Sequence, residues 1–301
     1  MESKRAYEIG PERRKFQYTV KDNRSIARYL EINIGELMRG IYVRELPHYN
    51  ANDFIGKLNI DTTSSANTIE LNTAYGCANI NINSDELESK LGDRNINSVF
   101  MRSIMLSLAR ELLFIHGVAF EYKNQIYLLS SSQKGTGKST ILDHLINTYD
   151  EDINVLSGSY LVAKPTADNV TLFSQRHPDK KIHTLSRITG GLENKIITID
   201  EPIIIRNNKS RIRSLSLQYN KGASGEIIPE SDTKINLINA AKFPLNLSFL
   251  ELSGDDNFLE KRDNYLSVNG FYDMIGKFSN CIKDYRVYIG SEENIHKILR
   301  K

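Results

Sequence analysis

The stretch that decides the fold is Ser130-Ser131-Ser132-Gln133-Lys134-Gly135-Thr136-Gly137-Lys138-Ser139-Thr140. The apolar residues Ile126 to Leu129 come directly before it, and a helical pattern from Ile141 to Tyr149 comes directly after it. The sequence therefore predicts a strand, a loop and a helix in that order. In this arrangement the backbone N–H groups of the loop and the first turn of the helix can bind phosphate.

The residue types in the loop fit that chemistry. Gly135 and Gly137 tolerate positive φ, so successive N–H groups can turn toward phosphate oxygens. Lys138 supplies an ammonium group for the β and γ phosphates, and the Ser139 hydroxyl is a ligand for Mg²⁺. The strict pattern GxxxxGK[ST] has a glycine where this chain has Ser132. The predicted nucleotide-binding residues are Ser132, Gly135, Thr136, Gly137, Lys138, Ser139 and Thr140.

The composition is that of an ordinary globular protein. Of the 301 residues 40% are hydrophobic and 25% are charged, which is enough apolar material for a core and excludes a disordered chain. Lys and Arg number 39 against 37 Asp and Glu, so the formal net charge is +2. Proteins that bind the nucleic-acid backbone usually carry a larger basic excess, so nucleic acid is not expected as the main partner.

The cysteines and the N-terminal residues indicate in which cellular compartment the protein is expected. Cys77 and Cys281 are far apart and belong to no CxxC or Cys/His pattern, so we expect two reduced, buried thiols. The N-terminal residues have no apolar leader segment. No apolar run approaches the ~18 residues that a membrane span requires. The sequence thus predicts a cytoplasmic protein without a membrane partner.

The patterning along the chain predicts two regions. Residues 1–95 form a β-rich N-terminal region, because Lys15 to Val20 and Thr68 to Thr73 alternate apolar and polar side chains between polar turns. Residues 96–301 form one α/β nucleotide-binding domain. Its first element is a helix over Asn97 to Phe114, which carries a wide apolar stripe at helical spacing.

Further elements of the second region can be placed from local signals. Ile115 to Glu121 and Gln125 to Ser130 predict two strands joined by a polar turn at Tyr122 to Asn124. Later in the chain, Val155 to Ala163 predicts a strand and Tyr272 to Asp284 predicts a helix.

The run from Phe114 to Thr140 resembles HPr kinase/phosphorylase and its relatives. In that family a strand that begins His-Gly or His-Ala pairs with a second strand leading into a GxSGxGKS loop. Here the corresponding residues are His116-Gly117 and the loop that ends in Lys138-Ser139. The resemblance extends roughly from Ser103 to His144 and fades downstream. It implies a P-loop core of the phosphoenolpyruvate-carboxykinase-like type behind a β-rich N-terminal region.

The resemblance also implies an activity. It implies a kinase that uses ATP or GTP with Mg²⁺ and phosphorylates a hydroxyl of a protein, a peptide or a small molecule. His116 would lie near the γ-phosphate, where it could orient or help activate the nucleophile. Asp200 is the best candidate for the carboxylate that transfer needs, and with Ser139 it is a candidate metal ligand. Members of the family assemble into homo-oligomers.

One departure from the family pattern supports an alternative. The family has an Asp-Asp pair on the strand after the loop helix, and this chain has Gly158 and Ser159 there. Neither can act as a carboxylate base or as a strong ligand for Mg²⁺. The alternative is a nucleotide-binding protein that has lost transfer chemistry and serves as a scaffold or partner-recognition module.

A third hypothesis is a hydrolytic NTPase of the common P-loop type. Ile196 to Ile199 followed by Asp200 and Glu201 is similar to the hydrophobic strand that ends in an acidic pair in those proteins. This hypothesis requires the strand over 196–199 to lie beside the strand over 126–129.

A short basic run, Lys209-Ser210-Arg211-Ile212-Arg213, has two interpretations. It is either a docking patch for an acidic peptide or nucleic acid, or a solvated strand at the surface, which the pattern favours.

Overall fold

The computed structural model describes residues 2–9, 14–21, 43–47, 54–61, 68–72, 77–83, 101–131, 135–149, 152–158, 160–173, 175–176, 198–199, 203–206, 211–219, 225–229, 233–246 and 257–299. The chain divides into two units, Met1–Glu111 with Leu245–Phe271, and Leu112–Pro244 with Tyr272–Lys301. Both contain sheets and helices, which confirms the predicted α/β class. None of the helices in these ranges is long and apolar enough to cross a membrane.

The helices are six in the described ranges, and two 3-10 turns accompany them. The helices are α1 (residues 101–108), α2 (Lys138–Tyr149), α3 (Thr233–Lys242), α4 (Phe258–Val268), α5 (Phe271–Asn280) and α6 (His296–Leu299). The 3-10 turns are Phe243–Leu245 and Glu292–Asn294.

The first unit contains a six-stranded mixed sheet in the order β3-β1-β2-β4-β6-β5. Its strands are β1 (Glu2–Ile9), β2 (Arg14–Lys21), β3 (Val43–Glu45), β4 (Phe54–Asp61), β5 (Thr68–Asn72) and β6 (Cys77–Asn83). Strand β1 is antiparallel to β2, whereas β2, β4 and β6 are parallel to one another. These strands occupy the region that the sequence predicts to be β-rich.

Alternation of side chains separates the two faces of this sheet. Tyr18, Leu58 and Ile80 lie in register across β2, β4 and β6 and are completely buried. The next row along the same strands is polar, and in it Asn59 Nδ2 donates a hydrogen bond to Asn81 Oδ1 at 2.8 Å. One face therefore forms the core of the first unit, since successive residues of a strand point to opposite sides.

Helix α1 belongs to this first unit. A Cβ atom on Gly56 of β4 would overlap Ser107 Oγ of α1, so the helix and the strand approach as closely as a glycine allows. This packing explains why the first unit continues to Glu111. The predicted domain boundary between residues 95 and 96 lies outside the described residues.

The second unit contains a nine-stranded sheet in the order β14-β11-β10-β7-β8-β15-β17-β16, with β9 also paired to β7. The strands of the second unit are β7 (Leu113–Tyr122), β8 (Gln125–Ser130), β9 (Ile153–Ser157), β10 (Tyr160–Pro165), β11 (Asn169–Phe173), β12 (Gln175–Arg176), β13 (Thr198–Ile199), β14 (Ile203–Arg206), β15 (Ile212–Tyr219), β16 (Glu226–Pro229) and β17 (Ile282–Gly290). Strands β8, β15 and β17 are parallel, and β12 and β13 form a separate pair.

Helices α2 and α6 cover one face of this sheet. The helix residues Ile141, Leu145 and Ile298 belong to one buried cluster with side chains of β7, β8, β9, β15 and β17. Ile141 and Leu145 are four residues apart, which places them on one side of α2. Helix α3 packs against β7 and β8.

Three predicted elements are corrected. The helix predicted to reach Phe114 ends at residue 108, and β7 begins at Leu113, because the buried Leu112 and Leu113 suit a helical stripe and an apolar strand equally well. The helix predicted to reach Asp284 likewise ends at Asn280, before β17. The single strand predicted over 155–163 is two strands, β9 and β10, which separate at Gly158.

The two cysteines are described unequally. Cys281 is a free thiol in the interior, as predicted, and burial raises its pKa. The side chain of Cys77 lies outside the described part of the structure.

Candidate functional site

The glycine loop lies where the sequence places it, between β8 and α2. Strand β8 ends at Ser130 and α2 begins at Lys138, and we call residues 131–138 the glycine loop. Gly135 has φ +76° and Gly137 has φ +79°, in the left-handed region where a side chain is strained. Ser132, Gln133 and Lys134 lie outside the described residues. Both glycines therefore have a backbone conformation that favours glycine over any other residue.

Lys138 contributes a buried positive charge to the end of the loop. Lys138 is only 7% exposed, and its Nζ donates a hydrogen bond to Thr136 Oγ1 at 3.0 Å. The first turn of α2 contains no acidic side chain, so no carboxylate of that turn competes for its positive end. An anion above the loop would thus meet both an ammonium group and a helix N-terminus.

His116 is joined directly to the start of the loop. Gly117 of β7 pairs with Ser130 of β8, so His116 lies opposite Ser131. The backbone N–H of Ser131 donates to His116 O at 3.2 Å, and His116 Nδ1 lies 2.8 Å from Ser131 O. Because a carbonyl oxygen can only accept, Nδ1 carries the proton in this contact. A neutral imidazole then has its lone pair on Nε2, the nitrogen suited to act as a base.

Aromatic rings hold the imidazole in place. The Phe243 ring stacks on His116 with centroids 4.3 Å apart and an interplanar angle of 18°. The centroid of the Tyr160 ring lies 5.7 Å from that of His116, and the two ring planes are tilted by 42°. His116 is 8% exposed as a result, so its orientation is fixed by packing as well as by the Ser131 contact.

Gly117 is required by the close approach of β7 and β8. A Cβ at position 117 would lie 2.7 Å from the carbonyl oxygen of Leu129, closer than real Cβ atoms approach backbone. The glycine next to His116 therefore lets the histidine strand and the loop strand meet at this level of the sheet.

The turn between β9 and β10 also lies beside His116. Ser157 pairs with Ala119, and Tyr160 pairs with His116, so Gly158 lies beside the histidine segment of β7. This is the position at which the family that the sequence resembles has its acidic pair. The chain has Gly158 and Ser159 there, and Ser159 lies outside the described residues.

The acidic segment near Asp200 is not joined to the loop strand. Thr198–Ile199 forms β13, which pairs with β12. Both edges of β8 are occupied, one by β7 and the other by β15. The strand adjacency that the hydrolytic NTPase hypothesis requires is therefore wrong. Asp200 and Glu201 lie outside the described residues, so the predicted roles of Asp200 in catalysis and in metal binding stay predictions.

The residues at the loop suit a nucleotide better than an independent metal ion. Within the described ranges no group of three or more His, Cys, Asp and Glu side chains could hold a metal. Ser139, at the second position of α2, has one hydroxyl group that could serve as a ligand. A magnesium ion carried by phosphates and water needs no more than one or two ligands from the protein, so the hydroxyl fits a nucleotide-bound Mg²⁺.

Two contacts of this site were not predictable from the sequence. Phe243 reaches His116 from the 3-10 turn after α3, and Tyr160 reaches it from β10. Neither belongs to a motif, and only the strand register places Tyr160 next to the histidine. The His116-Gly117 pair within β7 was the one local signal for this part of the site.

Comparison of the chain with models of known protein families finds no match, and neither does comparison with curated protein sequences.

Proposed function

We propose that this chain binds ATP or GTP with Mg²⁺ at the glycine loop and transfers phosphate to a hydroxyl of a protein, a peptide or a small molecule. The observation that carries the proposal is the combination of two glycines at positive φ with a buried Lys138 at the start of a helix. Loop N–H groups, the helix end and the ammonium all favour phosphate. The site also lies at the C-terminal end of the parallel strand β8, where ligands bind in α/β sheets.

Each residue has a separate role in this proposal. Gly135 and Gly137 allow the loop N–H groups to face the phosphates, and Lys138 balances the charge of the β and γ phosphates. The hydroxyl of Ser139 binds Mg²⁺, which supplies charge neutralisation at the phosphates. The Nδ1 proton of His116 is donated in a hydrogen bond to Ser131 O, so Nε2 carries the lone pair. Through Nε2, His116 orients the attacking hydroxyl or accepts its proton. Asp200 is proposed to supply the carboxylate.

A second candidate function is nucleotide binding without transfer. It is supported by the register that brings Gly158 beside His116, since Gly158 and Ser159 stand at the two positions where the family pattern has its acidic pair. In this case the nucleotide would stabilise a conformation that a partner recognises, and homo-oligomers or other proteins are the candidate partners.

Calorimetric titration of the full chain with Mg-ATP and Mg-GTP tests the binding step. Lys138→Ala removes a charge-assisted contact worth about 1.5–3 kcal/mol, so affinity falls roughly tenfold or more. Lys123→Ala is the matched control, because Lys123 lies in the turn before β8, at the opposite end of that strand from the loop. Equal affinities of both variants and the parent would contradict a phosphate-binding loop.

Incubation with γ-labelled ATP and Mg²⁺, with and without hydroxyl-containing peptides, separates the two candidates. Label on the protein or peptide that depends on Lys138 establishes transfer. His116→Gln then lowers the rate by a factor on the order of 10²–10⁴ while leaving nucleotide affinity unchanged. Binding that depends on Lys138, with no label transferred, establishes the second candidate instead.

A further inference from the structure

The 3-10 turn Phe243–Leu245 carries the ring that stacks on His116, and the boundary between the two units falls within it. Pro244 is the last residue of this part of the second unit, and Leu245 is the first residue of the segment that returns to the first unit. The chain therefore leaves the second unit directly after the ring that holds the imidazole.

Helix α3 holds the N-terminal end of this turn. The helix ends at Lys242 and the turn begins at the next residue, so the two are continuous. Helix α3 packs against β7 and β8, and Ala240 and Ala241 in its last turn are completely buried. The position at which the turn starts is thus set by packing within the second unit.

Arg102 of α1 holds the other end of the turn. Asn246 directly follows the turn, and its carbonyl oxygen accepts a hydrogen bond from Arg102 Nη1 at 2.6 Å. Both residues belong to the first unit, and Arg102 is only 3% exposed. Hydrogen bonds from a guanidinium are shorter and stronger than neutral ones, and burial protects them from competing water. This bond therefore fixes the backbone where the chain leaves the turn.

Helix α1 is tightly packed and keeps the arginine in place. Ile104, Met105 and Leu108 are each at most 2% exposed. Ser107, which lies against Gly56 of β4, donates a hydrogen bond from Oγ to the backbone of its own helix. The position of the arginine is therefore set by the core of the first unit.

We propose that Arg102 is a positioning residue of the candidate site. By holding Asn246, Arg102 holds the turn that carries Phe243. Phe243 in turn keeps the imidazole of His116 in the orientation in which Nδ1 meets Ser131 O. The turn is short, about 6 Å at roughly 2.0 Å per residue, so a displacement at one end reaches the other.

This inference rests on the proposed function, in which Nε2 of His116 serves the attacking hydroxyl. It assigns to the first unit a part in the chemistry of the second, through a covalent segment that is held at both ends. Because coupling is reciprocal, a ligand that shifts the loop and its histidine also acts on the bond between Arg102 and Asn246.

A second buried arginine separates a positioning role from a structural one. Arg262 of α4 also belongs to the first unit and is 7% exposed. Its guanidinium donates two hydrogen bonds to Asp263, at 2.8 and 3.0 Å, within the same helix. Replacing Arg262 is therefore expected to destabilise the first unit without acting on the turn.

The test is nitrogen-15 NMR of the histidine side chains of the full chain without nucleotide, at about pH 8, where an imidazole of ordinary pKa is neutral. The His116 signal is the one of six that is lost in His116→Gln. Arg102→Lys keeps the charge but not the planar fork. We expect it to lower the ratio of Nδ1-protonated to Nε2-protonated imidazole by a factor of about 3–10, as weakening one hydrogen bond does. Arg262→Lys leaves the ratio unchanged.

Two further variants test the route. If Arg102 acts through Phe243, then Arg102→Lys has no additional effect in the Phe243→Leu protein. Pro244→Ala removes the ring that restricts the backbone of the turn, so it shifts the ratio in the same direction as Arg102→Lys. It leaves both arginines intact and serves as the test where Arg102→Lys folds poorly.

A shift in Arg102→Lys that is absent from Arg262→Lys and abolished by Phe243→Leu supports the proposal. An unchanged ratio in folded Arg102→Lys overturns it, as does an equal shift in Arg262→Lys or an additive effect with Phe243→Leu. Where Arg102→Lys does not fold, an unchanged ratio in Pro244→Ala overturns it. Calorimetry with Mg-ATP on the same proteins tests the proposed function separately, because the tautomer ratio is measured without nucleotide.

Discussion

His116 Nδ1 lies 2.8 Å from the carbonyl oxygen of Ser131, so the histidine on β7 is bonded to the first residue of the glycine loop. The contact fixes the proton on Nδ1, since the carbonyl has no hydrogen to donate. Any movement of Ser131 when the loop binds a ligand changes the environment of the imidazole. The state of the histidine and the position of the loop are therefore coupled.

We predict that Phe243→Leu loosens His116 without unfolding the second unit. The stacked ring, 4.3 Å from the imidazole, is lost, and the ring–ring contribution is about 0.5–1.5 kcal/mol beyond burial. The imidazole then populates both neutral tautomers. Nitrogen-15 NMR of the histidine side chain reports the tautomer directly. Phe243→Tyr keeps the stacked ring and is the control, so identical tautomer ratios in the two variants would contradict a positioning role of Phe243.

We expect Gly117→Ala to destabilise the second unit. The added Cβ would lie 2.7 Å from the Leu129 carbonyl oxygen, and relieving such a clash costs about 1–3 kcal/mol. Gly276→Ala in α5 is the matched control, because its Cβ meets nothing within 4 Å. Alanine is the better helix former there, so this variant gains about 0.5–1 kcal/mol. Urea unfolding followed by circular dichroism measures both, and a Gly117→Ala protein as stable as the parent would contradict the close approach.

Alanine substitutions at two glycines distinguish a loss of stability through backbone strain from a loss of ligand binding. Gly135 has φ +76° in the glycine loop, Gly270 has φ +77° between α4 and α5, and both have open space for a Cβ. Alanine at either position costs about 1–2 kcal/mol of stability from backbone strain alone. Only Gly135→Ala is expected to weaken nucleotide binding as well. Thermal unfolding with and without Mg-ATP measures the two effects, and equal nucleotide-induced shifts in both variants would contradict the proposed cradle.

Stability is expected to fall in alkaline solution because of Tyr288. This tyrosine is completely buried and donates to Ser291 O at 2.7 Å, and burial, with Glu292 nearby, raises its pKa from 10.0 to about 12. Between these pH values the unfolded chain has released the proton and the folded chain has kept it, so the free energy of unfolding decreases as pH rises.

At pH 11, one unit above the pKa of Tyr288 in the unfolded chain, the free energy of unfolding has decreased by about 1.4 kcal/mol. Tyr288→Phe has no proton to lose, so its free energy of unfolding changes less between pH 9 and pH 11. Urea unfolding of both proteins at each pH measures the difference. A parallel decrease in the two proteins would show that other groups cause the alkaline loss.

Local features of this chain were predictable from sequence. The predicted strand Gln125 to Ser130 has the observed bounds of β8, and the turn before it has Lys123 and Asn124 at positive φ, the pattern of a tight hairpin. The glycines and the helix after the loop are also where the sequence places them. A local pattern does not decide the structure when an apolar run fits both a helix and a strand. At Leu113 the predicted helix continues, whereas the observed strand β7 begins.

The sequence by itself determined the strand, the glycine loop and the helix, because turn residues and side-chain periodicity act within a few positions of the chain. Only the tertiary structure decided that Phe243 stacks on His116 and that β15, rather than the strand before Asp200, lies beside β8. These relationships join segments that are distant in sequence. They depend on the path of the whole chain through the sheet, which no local preference specifies.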